Sequence, residues 1–341
     1  MERAMSLAIA LTAAAAAAVV LLVERRAARL RLLDRPNERS SHVVPRPRGG
    51  GLGILAGVAV GLMALAATGL EVSPELATVL AAALLVALTG LWDDLVQLSP
   101  SVRLAAQTTG AAIVVAGCGH LGVLPLPGGA MIELSAVPGS ILAVVWIVAV
   151  TNFFNFMDGA DGLAGGQALL TFGALALVAW PDAEAAVALL IVVATAVFLT
   201  RNWSPARIFL GDVGSGGLGF LLAALPFAVA DGSTRGAVVV LVATSLALFL
   251  VDPLITLVRR FVRGARITES HREHVYQRLI AAGKPHAPVV AGMLLAAASL
   301  TLVGIWAYNR PDRMWLSLAW AAVVCVAEWV IAALRDRVVS R

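Results

Sequence analysis

Of 341 residues, 60% are hydrophobic and 13% charged, and the mean hydropathy is +0.90. A soluble domain carries about 25% charged residues, so the polar surface that such a domain needs is missing here. Two cysteines, Cys118 and Cys325, exclude a disulfide framework and a thiolate metal site, and the net charge of +4 is small. Apolar blocks approaching 20 residues, in place of the alternating ten-residue segments of a barrel, predict an all-α polytopic membrane protein. In chain order the blocks cover roughly 5–23, 50–69, 76–92, 104–122, 139–156, 164–180, 184–200, 215–230, 236–258, 288–307 and 314–333. At 1.5 Å per residue each comes close to crossing about 30 Å of hydrocarbon. The expectation is therefore about eleven transmembrane helices, or ten to eleven, in one integral-membrane domain over residues 1–341. The first block resembles a signal peptide, but Arg25 and Arg26 follow it directly and no cleavage site does, so it is read as a helix.

Lys and Arg set the orientation. If the segments after the odd-numbered blocks are cytoplasmic, 21 of the 25 Lys and Arg residues lie on that side. This places the N-terminus outside and the C-terminus inside in a multi-pass membrane protein. Polar residues follow the same asymmetry. The outer connections carry little that is reactive, whereas the inner ones are dense in Asp, Asn, His, Arg and Gly. A transporter more often gathers such groups at the bilayer midplane, so the active site is expected on the cytoplasmic loops.

Four inner segments carry the candidate chemistry. Asp93 and Asp94 end the third block, where a helix C-terminus disfavours anions. They read either as a metal site with a general base or as a solvated helix end. Asn152, Asn155 and Asp158 recur every three residues on one helical stripe, which two Asp-Gly steps then break at Asp158-Gly159 and Asp161-Gly162. That pattern suits a hard cation and a polar ligand. An ordinary Asp-Gly turn accounts for the glycines but not for the asparagines. The stretch from Asn202 to Gly217 holds Phe209, Asp212 and Ser215 among glycines, whose backbone N–H groups suit phosphate. Ser215 is expected to cap the following helix, and Phe209 reads as a base-stacking aromatic or as packing between helices. The stretch His271-Arg272-Glu273-His274 places two histidines on one face if it is helical. A zinc site there lacks a third ligand, so the choice lies between cations around phosphate and an anchor for anionic lipid. Together these loops offer carboxylates for Mg²⁺, cations and amides for phosphate and an aromatic for a base, which are the parts of phosphoryl transfer.

With these residues in view, the chain resembles the polyprenyl-phosphate N-acetylhexosamine-1-phosphate transferase superfamily, glycosyltransferase family 4. The resemblance runs from Asp34-Arg35-Pro36-Asn37 to Leu279 and rests on two long motifs, NxxNxxDGxDGL from Asn152 and FLGDVGS from Phe209. Arg39-Ser40-Ser41-His42, Pro47-Arg48-Gly49-Gly50-Gly51 and the stretch from His271 to Leu279 look like its O-antigen-initiating branch. The resemblance implies that undecaprenyl phosphate attacks the β-phosphorus of a UDP-activated N-acetylated sugar and that UMP leaves. It implies the bacterial cytoplasmic (inner) membrane as the location. It implies Mg²⁺, with Mn²⁺ as a substitute, on Asn155 and Asp212. Asp93 would be base or nucleophile toward the lipid phosphate, with Asp94 beside it. Asn202, Phe209 and the Gly159–Asp161 turn would hold uridine, and Arg103 the diphosphate. His271, Arg272 and His274 would face diphosphate and sugar, the two histidines being counted as catalytic, while His42, Asn152 and Asp158 would join the substrate contacts. Membrane lipids are expected partners, nucleic acid is not, and a homodimer is allowed.

Two departures separate the chain from the related phospho-MurNAc-pentapeptide translocase. The DDxxK pattern reads Asp93-Asp94-Leu95-Val96-Gln97, and a triple histidine is replaced by His271-Arg272-Glu273-His274. The competing classes are a polytopic transporter and a lipid-binding scaffold.

Overall fold

The computed structural model describes residues 2–34, 45–125, 130–232, 234–265 and 272–339. Its helices are α1 (Glu2–Arg26), α2 (Gly51–Ala67), α3 (Pro74–Val96), α4 (Pro100–Cys118), α5 (Ala136–Met157), α6 (Leu163–Val178) and α7 (Ala183–Asn202). They continue with α8 (Asp212–Ala224), α9 (Pro226–Val229), α10 (Arg235–Ser245), α11 (Ala247–Val262), α12 (Val275–Ala281), α13 (His286–Tyr308) and α14 (Met314–Val339). Two short antiparallel ribbons complete the described residues. β1 (Leu33–Asp34) pairs with β2 (Arg46–Pro47), and β3 (Val123–Pro125) pairs with β4 (Met131–Glu133). Helix prevails because a bilayer offers no partner to free N–H and C=O groups, so each span must satisfy its own backbone. Starts are marked locally. Pro74 and Pro100 stand at the first helical position, and the Ser73 hydroxyl accepts the Leu76 N–H at 3.1 Å.

The protein is an all-α polytopic membrane fold, and each expected block falls on helix, but the blocks are not equivalent. Among the described residues seven helical segments are long and apolar enough to cross a bilayer: α1, α3, α5, α7, residues 212–229 comprising α8 and α9, α13, and α14 through Leu334. An eighth is counted if α10 and α11, bent by 73°, form one broken span. α2 and α6, of 17 and 16 residues, are shorter, and α4 falls short of the same apolarity, with Gln107, Thr108 and Thr109 along it. Of the eleven expected spans, seven or eight are thus of full length and apolarity.

α8 is the hub. It packs against α3, α5, α2 and α6, and its glycines make room for them. A Cβ on Gly51 of α2 would lie 2.3 Å from the Gly214 Cα, and one on Gly219 would lie 2.9 Å from the Phe154 Cβ. α1 lies along α2 and α7, held at one end by Arg201, which donates to both carboxylate oxygens of Glu24 at 2.6 and 2.8 Å. At the α10–α11 bend the freed Ser245 carbonyl accepts the Gln167 Nε2 at 2.9 Å. Hydroxyls of Thr171 and Thr301 meet the Ser245 hydroxyl at 2.8 and 2.7 Å. A break at membrane depth is thereby satisfied by side chains of α6 and α13.

Candidate functional site

At the end of the bundle where α3, α5 and α7 finish and α4, α6 and α8 begin lies a cavity of about 590 Å³. Its walls come from segments far apart in sequence. Asp34 and Arg48 come from the α1–α2 connection, Asp94 from α3, and Asn155 with the Asp158–Asp161 turn from the end of α5. Asn202, Phe209, Asp212 and Ser215 come from the α7–α8 connection, and Arg272, Tyr276 and Gln277 from α12 and the residues before it. A smaller cleft of about 50 Å³ lies between α3, α4, α5 and α8 and is lined by Thr89, Arg103, Gln107, Asn152 and Phe156 among others. Asn155 and Asp212 line both hollows.

Side chains fix the loops around the main cavity. Asn202, buried, accepts the Gly162 N–H at 3.0 Å and donates to the Ile208 carbonyl at 2.9 Å. Asp161 accepts the Ala206 N–H at 3.0 Å. The α1–α2 connection is laced to the same loop. Phe209 N–H donates to the Pro47 carbonyl at 2.8 Å, while Gly50 and Gly51 donate to the Phe209 and Leu210 carbonyls at 2.9 Å. Phe209, half-buried, keeps its ring in the cavity wall.

The two adjacent aspartates face different helices. Asp93 accepts from the Leu98 N–H and forms an ion pair with Arg103 at 2.9 Å. Asp94, 1% exposed, accepts the Asp212 N–H at 3.1 Å and the Val213 N–H at 3.0 Å. Arg48 flanks it, donating to the Asp94 carbonyl and standing 3.6 Å from its carboxylate. Asp94 therefore caps α8 from outside, the role the sequence assigned to Ser215. Ser215 lies within the first turn of α8, where its hydroxyl donates to the Gly211 carbonyl at 3.1 Å. Asn155 donates to Asp212 at 2.6 Å and to Ser215 at 2.7 Å. Asn152 turns away from the main cavity and donates to Gln107 at 2.6 Å and the Val148 carbonyl at 2.8 Å. Asp158 sits deep in the turn. Burial, then the carboxylates of Asp212, Asp94 and Asp161, push its pKa up to about 8.

His274 lines neither hollow. It is 3% exposed, the N-cap of α12, with its Nδ1 3.4 Å from the Asp252 carboxylate. The helix begins after it, so a shared helical face with His271 does not arise among the described residues. His271 and His42 lie outside the described residues. The wall of the cavity is instead built by Tyr276 and Gln277, which sequence reasoning did not single out, together with Arg48 and Asp34. Tyr276 is 1% exposed and its hydroxyl stands over Gly159, where a Cβ would come within 2.0 Å. Burial, then Asp158 and Asp252, raise the pKa of that phenol. A small residue at 159 facing an aromatic at 276 was not readable from spacing, because 117 residues separate them.

The donor set suits a hard cation. Asp34, Asp161 and Asp212 bring oxygen donors to the main wall, where Arg48 and Arg272 are the cations. Among the described residues no three His, Cys, Asp or Glu side chains converge on one point. Asn155 and Asp212, joined by a hydrogen bond, bring hard oxygen donors of the kind that Mg²⁺ would take beside phosphate oxygens and water.

Residues 76–230 match the family model described as glycosyl transferase family 4. The chain is 30% identical over 338 residues to the decaprenyl-phosphate N-acetylglucosaminephosphotransferase of Mycobacterium tuberculosis, covering 90% of this chain and 81% of that protein. It is 26% identical over 303 residues to the undecaprenyl-phosphate alpha-N-acetylglucosaminyl 1-phosphate transferase of Escherichia coli K12, covering 86% and 81%. A Bacillus subtilis protein named "Probable undecaprenyl-phosphate N-acetylglucosaminyl 1-phosphate transferase" is 28% identical over 318 residues, covering 91% and 86%.

Proposed function

The chain belongs to glycosyl transferase family 4, and from that membership we propose that it moves an N-acetylated hexosamine 1-phosphate from a UDP-sugar to undecaprenyl phosphate. UMP is released and undecaprenyl-diphospho-sugar is formed at the cytoplasmic face of the inner membrane. This is the first step of a surface polysaccharide, with O-antigen as one such polymer. The names of the relatives, which specify a polyprenyl phosphate and N-acetylglucosamine, support this reading and make UDP-N-acetylglucosamine the first donor to try.

One observation carries the mechanism: Asn155 and Asp212 belong to both hollows. The donor occupies the large cavity, with uracil against Phe209 and its diphosphate toward Asp212. The acceptor phosphate approaches through the cleft that holds Arg103, whose guanidinium offsets its charge. An acceptor oxygen attacks the β-phosphorus, the bond from that phosphorus to the bridging oxygen breaks, and UMP departs with that oxygen. Asp93, beside Arg103, holds the acceptor proton as base. Asn155 and Asp212 would hold Mg²⁺, or Mn²⁺ in its place. Such an ion, when bound, neutralises the diphosphate oxygens. Arg48 and Arg272 stand at the wall to meet the remaining phosphate charge.

The test is direct. Purified protein in nanodiscs receives undecaprenyl phosphate, Mg²⁺ and, one at a time, UDP-linked N-acetylated sugars. The expected result is equal amounts of UMP and lipid-diphospho-sugar with at least one of them. Flux of a solute without UMP, or binding of undecaprenyl phosphate with no UMP released from any of the donors, would overturn the proposal in favour of a transporter or a scaffold.

A further inference from the structure

We infer that Asp94, although it lines the main cavity, is a positioning residue whose carboxylate sets the backbone that presents Asp212. The inference rests on the transferase reading above only for what Asp212 is presented to; the geometry stands without it. Asp94 is 1% exposed, and each of its carboxylate oxygens already accepts a backbone N–H, one from Asp212 and one from Val213. An anion at the first turn of a helix is stabilised by the free N–H groups and by the helix dipole. α8 has no cap of its own, because the residue before it is Gly211, which carries no side chain. The cap is supplied from α3.

Gly211 and Gly90 show how closely the parts are fitted. Gly211 has φ +76°, and a Cβ there would lie 2.7 Å from an Asp94 carboxylate oxygen. Gly90, one turn before Asp94 on the same face of α3, would bring a Cβ to 2.3 Å from the Asp212 carbonyl oxygen. α3 therefore holds the Asp212 peptide from both sides, its carbonyl against Gly90 and its N–H on Asp94. Arg48 backs the carboxylate from the α1–α2 connection. Asp93 forms an ion pair with Arg103 of α4, and its side chain also reaches that of Asp212. The two neighbouring carboxylates thus meet Asp212 differently, Asp93 at its side chain and Asp94 at its backbone.

The test reads the frame and the chemistry separately. Hydrogen exchange by mass spectrometry, on protein without substrate or metal, follows the amides of peptides covering 209–216. Asp94→Asn keeps the shape but replaces one accepting oxygen with an amide that cannot accept, so exchange there should rise about tenfold. Asp212→Asn should leave that exchange unchanged. In turnover, Asp94→Asn should raise the half-maximal Mg²⁺ concentration about tenfold with the Michaelis constant for UDP-sugar within twofold of wild type. Arg48→Ala should raise the exchange in the same direction by less, and that readout alone serves if Asp94→Asn does not fold, since Arg48 also meets phosphate in turnover. Unchanged exchange in Asp94→Asn and Arg48→Ala, or a loss of turnover that no Mg²⁺ concentration alters while exchange stays at the wild-type level, would overturn the inference. Absence of sugar-phosphate transfer in the wild-type protein would overturn the transferase reading and leave the exchange comparison intact.

Discussion

Phe209 is one of two aromatics in the wall, with Tyr276, and its backbone is fastened at both N–H and C=O to the α1–α2 connection. On the proposed reading its ring meets the uracil. Stacking on an aromatic contributes about 1–3 kcal/mol per base, so Phe209→Ala should raise the Michaelis constant for UDP-sugar roughly five- to a hundredfold. Inhibition by UMP should weaken in parallel, while the constant for undecaprenyl phosphate changes little. Unchanged UMP inhibition would remove the stacking role. Asp212→Asn should lower turnover about a hundredfold or more, with the protein still inserted, since losing one ligand of a bridging ion removes several kcal/mol of transition-state stabilisation. Near-normal turnover at ordinary Mg²⁺ would take Asp212 out of the site. At this scale much of the cavity was legible in the sequence. Asn155, Asp158, Asp161, Asn202, Phe209 and Asp212 stood out as polar, glycine-flanked or aromatic residues at the ends of apolar blocks, and they converge. What spacing hid was direction. His274 reads as a member of a histidine pair, yet it is the residue before a helix and turns inward to Asp252. Asp93 and Asp94 are alike in sequence, yet one pairs with the Arg103 guanidinium and the other takes the Asp212 and Val213 N–H groups.

Helices were legible by their apolarity, although the local starts at Ser73-Pro74 and Ser99-Pro100 lie ahead of the blocks read from 76 and 104. The bend between α10 and α11 was not, because no Gly or Pro stands at Leu246; Pro253 comes seven residues later inside α11. The break is made by a partner distant in sequence, Gln167, whose amide takes the Ser245 carbonyl, and a reading along one strand of sequence has no view of that contact. Close approach is the second property of elements that apolarity conceals. α8 serves as hub because Gly214 meets Gly51 almost backbone to backbone. Gly51→Ala inserts a methyl where there is no room, and overpacking of this kind costs about 1–3 kcal/mol. The variant should melt lower in detergent than wild type, whereas Gly69→Ala, which faces open space, tests only its positive φ. Equal melting of Gly51→Ala and wild type would show that α2 and α8 can part.

For the whole molecule, charge is the most legible feature, with 21 of 25 Lys and Arg residues assigned to one side. On that assignment we propose that the cavity faces the cytoplasm. With Cys118 and Cys325 replaced, a cysteine at Glu71 should react with a membrane-impermeant thiol reagent in intact cells, and one at Lys284 should be protected until the cells are opened. The reverse pattern would invert the topology and with it the supply of UDP-sugar. The convergence of loops from five parts of the chain, by contrast, had no single signature, since each loop taken alone also reads as an ordinary connector. That convergence leaves two hollows meeting at Asn155 and Asp212, and the meeting has a consequence for the order of events. A molecule arriving by either route does not obstruct the other, so both substrates are able to be present together before any bond changes. Double-reciprocal plots for the two substrates should then intersect rather than run parallel. UMP should compete with the nucleotide sugar alone, and a single inhibitor that joined a uridine to a prenyl phosphate through a tether short enough to pass Asn155 would occupy both routes at once.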